Sequence, residues 1–300
     1  MRVLVSGASG LIGSALCDAF AQRGDSVTKL VRKEETPSGN EIRWDPAAAQ
    51  LEPEKLEGFD AAIHLSGESI ASGRWTERKK REIIQSRTRT TKLLARTFRE
   101  LGAPPKTWVV ASATGFYGHC GDRWLDEEQP CGETFLAEVS RQWEEASYPA
   151  RDAGIRVLNA RFGLVMSRQK SPFTRMLLPF KLGLGGPVGP GTQYLSWITR
   201  HDAIRALMHG IAAPPLQGPV NVVSPHPVRN KELATALGRA LGRPALLPFP
   251  AFAARMLFGE MADELLLASQ RATPRKLLES GFTFDYPELD QALRLILEAR

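Results

Sequence analysis

Three evenly spaced glycines follow the first apolar residues of the chain, and this arrangement is suited to binding phosphate groups. Residues 3–5 predict a buried strand, after which glycines stand at positions 7, 10 and 13. The first allows a sharp turn, the second lets backbone N–H groups approach a pyrophosphate, and the third lets the next helix pack closely. The alternative is an ordinary glycine-rich turn. The predicted contacts to a dinucleotide are Gly7, Ala8, Ser9, Gly10, Leu11, Ile12 and Gly13.

The residues after the second predicted strand bear on which dinucleotide is bound. That strand covers residues 26–31, and Arg32 and Lys33 follow it. Proteins that prefer NAD usually place an acidic residue here to accept from the ribose 2′-OH, whereas a basic pair suits the 2′-phosphate of NADP(H). Arg32 can bind that phosphate with two N–H groups or stack on adenine, although Glu34 and Glu35 weaken the local field. The prediction is NADP(H); the alternative is a solvated basic turn.

Hydroxyl groups end another predicted strand and suggest chemistry on a bound substrate. Residues 108–118 contain a strand and its exit loop, with Ser112 near the strand end and Tyr117 in the loop. Ligands of parallel α/β sheets bind at the carboxyl ends of the strands, so we expect the Ser112 hydroxyl to face a crevice. Residues 60–67 form a further strand that ends in small residues, where the backbone at Gly67 can approach a cofactor.

These groups require a framework of alternating strands and helices. Residues 75–101 predict one or two helices, on which Glu82 and Arg87 lie about one turn apart, either as a surface pair or lining the cofactor cleft. Residues 134–148 predict a helix capped by Thr134, and residues 155–165 predict the sixth strand. The fold class is therefore α/β, a Rossmann-type doubly wound parallel sheet. We expect a dinucleotide-binding domain over 1–170, with strand returns from later segments, and a smaller α/β lobe over 171–300.

Composition and charge restrict the function. The 300 residues carry a net charge of +6, and the longest basic run, residues 78–81, is predicted to be a solvated helix face. No nucleic-acid-binding module is visible. Cys17, Cys120 and Cys131 show no paired spacing and are expected to be reduced thiols, and no metal site is predicted. Without room for a signal peptide or an apolar run of membrane length, the chain is expected to be soluble and cytoplasmic, with no membrane partner and an open oligomeric state.

Several motifs together resemble the atypical extended short-chain dehydrogenase/reductases, the group known as epimerase family proteins or nucleoside-diphosphate-sugar epimerase-like. The resemblance rests on the opening glycines and on segments 44–46, 65–68, 74–75, 86–87, 112–118, 182–187, 196–198, 271–274 and 281–287. It covers nearly the whole chain. Besides the glycine loop, it implies NADP contacts from Val31, Arg32, Leu65, Ser66, Glu82, Arg87 and Arg161.

The chain departs from the group's usual catalytic pattern. Most short-chain dehydrogenases use a tyrosine with a lysine four residues later, but no tyrosine here has that lysine, and no lysine lies between Lys106 and Lys170. Two functions therefore stay open. One is an NADP-dependent oxidoreductase or epimerase on a small molecule, with Ser112 orienting a carbonyl, Tyr117 as acid and Glu138 in support or as the acid. The other is a non-catalytic NADP(H)-binding sensor or regulatory protein, in which Tyr117 is a packed aromatic and Glu138 faces solvent.

Overall fold

A computed structural model describes residues 1–32, 39–169 and 171–298. Lys33, Glu34 and Glu35, which the sequence analysis used, lie outside the described residues. The strands are β1 Arg2–Ser6, β2 Ser26–Val31, β3 Glu41–Arg43, β4 Ala61–His64, β5 Thr107–Ala113, β6 Trp124–Leu125, β7 Arg156–Phe162, β8 Leu164–Met166, β9 Tyr194–Leu195, β10 Trp197–Thr199, β11 Gly218–Val222, β12 Val228–Arg229 and β13 Arg271–Ala272. The helices are α1 Leu11–Gln22, α2 Glu77–Glu100, α3 Phe135–Glu145, α4 Tyr148–Asp152, α5 Pro172–Lys181, α6 Arg200–Ala212, α7 Asn230–Leu241, α8 Ala251–Phe258, α9 Glu260–Ala262, α10 Arg275–Glu279 and α11 Leu289–Glu298.

A seven-stranded sheet in the order β11-β7-β5-β4-β1-β2-β3 forms the centre of the fold. Every neighbouring pair in it is parallel. The order reverses direction at β1, so ligands are expected beyond the carboxyl ends of β1 and β4, beside this switch point. This confirms the predicted Rossmann-type sheet.

Side chains alternate across the sheet and build a core on each face. Val3 and Val5 of β1 point towards α1 and α6, whereas Leu4 points to the opposite face. On that opposite face, Trp108 packs with Phe98 of α2 at a ring-centroid distance of 5.2 Å. Burial on both faces explains why these strands are nearly continuous apolar runs. Within the described part of the chain, no helix combines the length and apolar character needed to cross a bilayer.

One predicted strand is in fact two. Residues 155–165 were expected to form a single strand, but β7 ends at Phe162 and β8 begins at Leu164. A Cβ at Gly163 would lie 2.5 Å from the carbonyl oxygen of Ser196, so the chain turns out of the sheet where another segment approaches it. β8 then pairs with β10. The chain returns to the sheet only at β11, which pairs with β7.

The helices that flank the site begin at side-chain caps. The segment predicted as one or two helices contains one, α2 Glu77–Glu100, whose N-terminus is capped by Thr76. Helix α3 is capped by Thr134, as predicted, since its hydroxyl accepts from the N–H of Ala137. Glu264, from a later segment of the chain, adds a second cap, with one carboxylate oxygen 2.9 Å from the N–H of Phe135. This contact ties α3 to the C-terminal part of the chain.

Candidate functional site

The glycine loop joins β1 to α1 and packs against the loop that follows β4. Gly7 has φ +73°, and a Cβ there would lie 2.7 Å from the carbonyl carbon of Leu65. A Cβ at Gly13 would collide with the Gly7 backbone. The chain's own packing therefore requires these two glycines. Gly10 differs, because it is exposed and a Cβ there would meet only the carbonyl oxygen of Gly7, 3.2 Å away. No other part of the described chain packs against Gly10 at the position where a side chain would begin.

Helix α1 begins at this point without a side-chain cap on its first backbone donors. Its N-cap is Gly10, with no side-chain hydrogen bond at the cap and no acidic residue in the first turn. The N–H groups of a helix's first turn have no acceptor within the helix, and the positive end of the dipole lies there. Leu11 and Ile12 lie half-buried behind the loop and pack on the core with Ala8, whereas Ser9 is exposed. The backbone is therefore available to an anion, while the apolar side chains anchor it.

A group of basic side chains lies beyond the ends of β2 and β4. Arg32 follows Val31 and is exposed. Lys79 donates to the carboxylate of Glu68 at 2.8 Å. This ammonium is the main reason that the pKa of Glu68 lies below its usual range, and the charges of Arg87 and Arg32 add to the effect. Three cations, Lys79, Arg87 and Arg32, therefore act on the one carboxylate of Glu68.

Arg87 is a buried support for the loop after β4. Its guanidinium donates to the carbonyl oxygens of Ile83 and Glu68, each at 3.0 Å, and lies 5.0 Å from the centre of the Trp143 indole. Burial lowers its pKa to about 10. A Cβ at Gly67 would come within 3.4 Å of this guanidinium. The loop backbone at positions 65–67 is thus held from behind, and Leu65 and Ser66 remain half-buried.

Glu82 does not contact Arg87. It is exposed and pairs with Arg78 at 2.9 Å, one turn earlier on α2. The sequence left a surface pair or a cleft position open for these two residues, and the structure separates them onto different faces of the helix. The basic run 78–81 was also expected to be a solvated face, and this is wrong for two of its members. Lys79 bonds to Glu68, and Lys80 pairs with Glu260 of the C-terminal lobe.

Ser112 does not face the crevice. Its hydroxyl is buried and donates to the carboxylate of Glu144 at 2.7 Å. Trp108 and Val110 are buried on one face of β5, and the strand's alternation puts Ser112 on that face, towards α3. Glu144 also receives two hydrogen bonds from Arg161, at 2.8 and 2.9 Å. The expected orientation of this hydroxyl is therefore corrected.

Arg161 and Tyr117 belong to the same buried cluster. Arg161 is 3% exposed and lies 3.5 Å from the centre of the Phe116 ring. Burial alone would lower its pKa, but the Glu144 carboxylate and Tyr117 raise it above the usual range. The Tyr117 hydroxyl, in a residue 2% exposed, donates to Asn221 at 2.7 Å and accepts from Arg161 at 3.0 Å. Burial raises the pKa of Tyr117 to about 12.

Glu138 lies on the exposed face of α3. Its carboxylate accepts from Arg141 and from the side-chain amide of Gln142, each at 2.6 Å. The hydrogen bond from Arg141 is the main cause that lowers the pKa of Glu138, and Gln142 adds to it. Of the three predicted catalytic residues, Glu138 is the one with a carboxylate open to solvent. The structure brings Ser112 and Tyr117 together through Arg161 and Glu144, but leaves Glu138 apart from them.

Sequence reasoning missed Lys79, Glu144 and Glu264. Lys79, Ile83 and Arg87 are spaced four residues apart, and this spacing places Lys79 on the buried face of α2. Glu144 follows Trp143 and stands seven residues after Ala137, which puts it on the face of α3 that Ala137 and Trp143 bury, so a charge there signals a buried partner. Nothing local indicates Glu264, because its partner is 129 residues away.

A parallel sheet in this order, with a glycine turn leading into an uncapped helix, defines a dinucleotide-binding Rossmann protein. Residues 3–222 match the model of the NAD dependent epimerase/dehydratase family, and the chain belongs to that family. Residues 249–296 match a domain of unknown function, DUF1731.

Relatives and solved structures agree with this assignment. The chain is 42% identical over 291 residues to Epimerase family protein Mb2239 of Mycobacterium bovis, covering 97% of this chain and 96% of that protein. It is 38% identical over 300 residues to the human epimerase family protein SDR39U1, covering 99% and 100%. A crystal structure of human SDR39U1 isoform 2 with NADPH superposes with a TM-score of 0.92 at 37% identity, covering all of both chains. MoeE5 in complex with UDP-glucuronic acid and NAD shares the fold, with a TM-score of 0.78 at 22% identity over 99% of this chain and 98% of that one.

Proposed function

We propose that this protein binds NADP(H) at the glycine loop and transfers hydride between the nicotinamide and a small molecule. The observation that carries the proposal is the uncapped N-terminus of α1 beside the exposed Gly10. Those donors suit a pyrophosphate, and a side chain at Gly10 would occupy the space it needs. The human relative crystallised with NADPH supports the same cofactor.

The preference for a 2′-phosphate rests on the charges beyond β2 and β4. Arg32 is exposed where the ribose lies in this type of fold, and Lys79 and Arg87 add positive charge around Glu68. A 2′-phosphate carries more negative charge than a hydroxyl, so these cations favour NADP(H) over NAD(H). In this proposal Val31, Leu65, Ser66 and Gly67 contribute backbone surface.

Glu138 is the group that we propose for proton transfer. When a carbonyl is reduced, hydride from NADPH adds to the carbonyl carbon and a proton must reach its oxygen; oxidation of an alcohol reverses both transfers. The Ser112 and Tyr117 hydroxyls already donate hydrogen bonds inside the protein, to Glu144 and Asn221 respectively. Glu138 is half-buried, and its lowered pKa keeps it ionised near neutral pH, so in this proposal it accepts the proton in the oxidative direction. We assign Arg161, Arg87 and Glu82 supporting positions rather than direct cofactor contacts.

A second candidate is a non-catalytic NADP(H)-binding sensor. The enclosure of Ser112 and Tyr117 favours it, because both hydroxyls are satisfied internally and the usual tyrosine–lysine pair is absent. In such a protein the buried cluster would only fix the sheet to α3, and NADP(H) would act as a bound signal.

The two candidates are distinguished by turnover. NADPH oxidation with a panel of carbonyl compounds, and NADP⁺ reduction with the matching alcohols, is measured together with NADPH affinity by titration. An enzyme that uses Glu138 loses about a hundredfold in turnover in Glu138→Gln, whereas Glu145→Gln, which removes the other partner of Arg141, keeps it. NADPH binding without any turnover supports the sensor. Absence of NADPH binding overturns both candidates.

A further inference from the structure

The C-terminal lobe carries large apolar side chains on its outside. Six of them, each between 60% and 81% exposed, define what we call the apolar surface: Leu182, Leu184, Leu246, Phe252, Met256 and Leu257. Isolated exposed apolar residues are ordinary, but a group of this size marks a contact site. None of these six is placed in the candidate NADP(H) site.

These residues come from two segments that the backbone joins side by side. The N–H of Leu247 donates to the carbonyl oxygen of Gly185 at 3.2 Å, and the N–H of Phe249 donates to that of Pro187 at 2.8 Å. A Cβ at Gly186 would collide with the Leu247 backbone. The segment after α5 and the segment before α8 therefore lie together, with their leucines exposed.

Helix α8 continues the apolar surface. Of its eight residues only Ala254 is buried, whereas Phe252 and Met256, one turn apart, are exposed. A surface helix normally turns its large apolar residues to the core and its charges to water. On α8 the large apolar residues Phe252 and Met256 face water together with Arg255, so the rest of the described chain does not cover this face.

The two segments that carry the apolar surface contain cations and no carboxylate, and Glu260, which follows α8, is paired with Lys80. The sequence contains no Asp or Glu at positions 153–201 or 233–259, which include both segments. Lys181 and Arg243 are exposed beside the leucines, and neither has an ion-pair partner among the residues that the structure describes. Arg255 on α8 pairs with Asp263, so it adds little net charge. An apolar surface bordered by unpaired cations is complementary to an anionic, apolar partner.

We infer that this surface binds the face of an anionic phospholipid bilayer. The leucines, Phe252 and Met256 enter the boundary between headgroups and acyl chains, while Lys181 and Arg243 meet lipid phosphates. A second copy of the chain fits less well, because a two-fold contact would bring Lys181 and Arg243 of one copy towards the same unpaired cations of the other. The absence of a spanning helix is no obstacle, since helices that lie in the interface need not cross the bilayer. Helix α8 lies within the domain of unknown function, so the inference gives that domain a role in binding membranes.

Co-sedimentation of the full chain tests the inference, using vesicles of phosphatidylcholine alone and vesicles that also contain phosphatidylglycerol. We expect binding that requires phosphatidylglycerol and falls with added salt. The double variant Phe252→Glu with Met256→Glu should abolish it, and Lys181→Glu with Arg243→Glu should weaken it about tenfold or more. A charge-matched control, Arg96→Glu with Lys106→Glu, changes exposed cations elsewhere and should bind as the parent does.

Light scattering and NADPH titration accompany the vesicle experiment. Both double variants should keep the parental NADPH affinity, because the surface lies outside the cofactor site. Three results would overturn the inference: no binding to phosphatidylglycerol vesicles, equal binding to both vesicle types, or a parental dimer that Phe252→Glu with Met256→Glu converts to a monomer. The last result would assign the apolar surface to a second copy of the chain.

Discussion

The Ser112 hydroxyl donates a 2.7 Å hydrogen bond to Glu144, and this contact turns a residue at the end of a central strand into part of the core. Glu144 is held in turn by Arg161, which neighbours Ser112 in the sheet register and lies opposite Asn221 on the other side. Ser112, Arg161 and Asn221 thus form one row across β5, β7 and β11. Arg161 and Asn221 both form hydrogen bonds with the Tyr117 hydroxyl.

Replacing Tyr117 by phenylalanine is expected to affect stability first. The change leaves the Asn221 side-chain oxygen without a partner and the Arg161 Nη1 with only its 3.4 Å bond to the Glu127 carbonyl oxygen, at a cost of about 1–3 kcal/mol in the free energy of unfolding. Urea denaturation measures it. Tyr148→Phe is the control, since Tyr148 is exposed and should change little. A Tyr117→Phe protein of parental stability that loses turnover would instead make this hydroxyl catalytic.

Gly10→Val is expected to abolish NADPH binding while the fold is retained. The added branched side chain projects into the open space in front of the α1 N-terminus, where the pyrophosphate is proposed to lie. Gly102→Val is a matched control at an exposed glycine with no positive φ and only distant neighbours. Fluorescence titration with NADPH compares the two. Parental affinity in Gly10→Val would place the cofactor elsewhere.

Arg32→Ala is expected to weaken NADPH binding by about tenfold or more, which is about 1.4 kcal/mol, and to change NADH binding little. The parent should prefer NADPH by a similar factor. Arg96→Ala, an exposed arginine on α2, controls for loss of general positive charge. Titration with both nucleotides at one salt concentration is the measurement. A variant that loses NADH and NADPH affinity equally would show that Arg32 does not contact the 2′-phosphate.

Stability is expected to fall in mild acid because of His64. Its imidazole lies between Ser6, at 2.6 Å, and Thr90, at 3.1 Å, and burial lowers its pKa from 6.5 to about 3. The unfolded chain takes up this proton below pH 6.5 and the folded chain does not. The contribution is therefore complete above pH 6.5 and is lost towards pH 3, by at most about 1.4 kcal/mol per pH unit. When the free energy of unfolding is measured by denaturation between pH 7 and 4, it should fall less steeply with pH in His64→Gln than in the parent. Equal slopes for the two proteins would contradict this prediction.

Features that depend on nearby residues were predicted well from the sequence. The glycine loop, the cap at Thr134 and the sheet strands follow from turn, cap and strand signals within a few residues. The direction of the Ser112 hydroxyl was wrong, although alternation with Trp108 and Val110 places it on the buried face. The expectation relied on the general rule that hydroxyls at strand ends face a ligand, and it did not apply the alternation of side chains along β5.

Other features could not be read from the sequence because their partners are distant. The Glu264 cap on α3 joins residues 129 positions apart, and the Lys80–Glu260 pair joins residues further apart still. No local pattern encodes such a pairing. The break at Gly163 is of the same kind, because it depends on Ser196 approaching from a later segment.

The late return of β11 to the sheet has a consequence for how the chain folds. Asn221 pairs with Arg161 across 59 intervening residues, which include β8, β10 and α6. During synthesis, β7 therefore has no strand on its outer side until residue 222 has left the ribosome. Pairing over such a distance is slow, because the long intervening loop must close first. A chain that ends near residue 170 would keep that edge exposed. We expect such a shortened chain to aggregate by adding strands to the exposed edge of β7, while the glycine loop still forms.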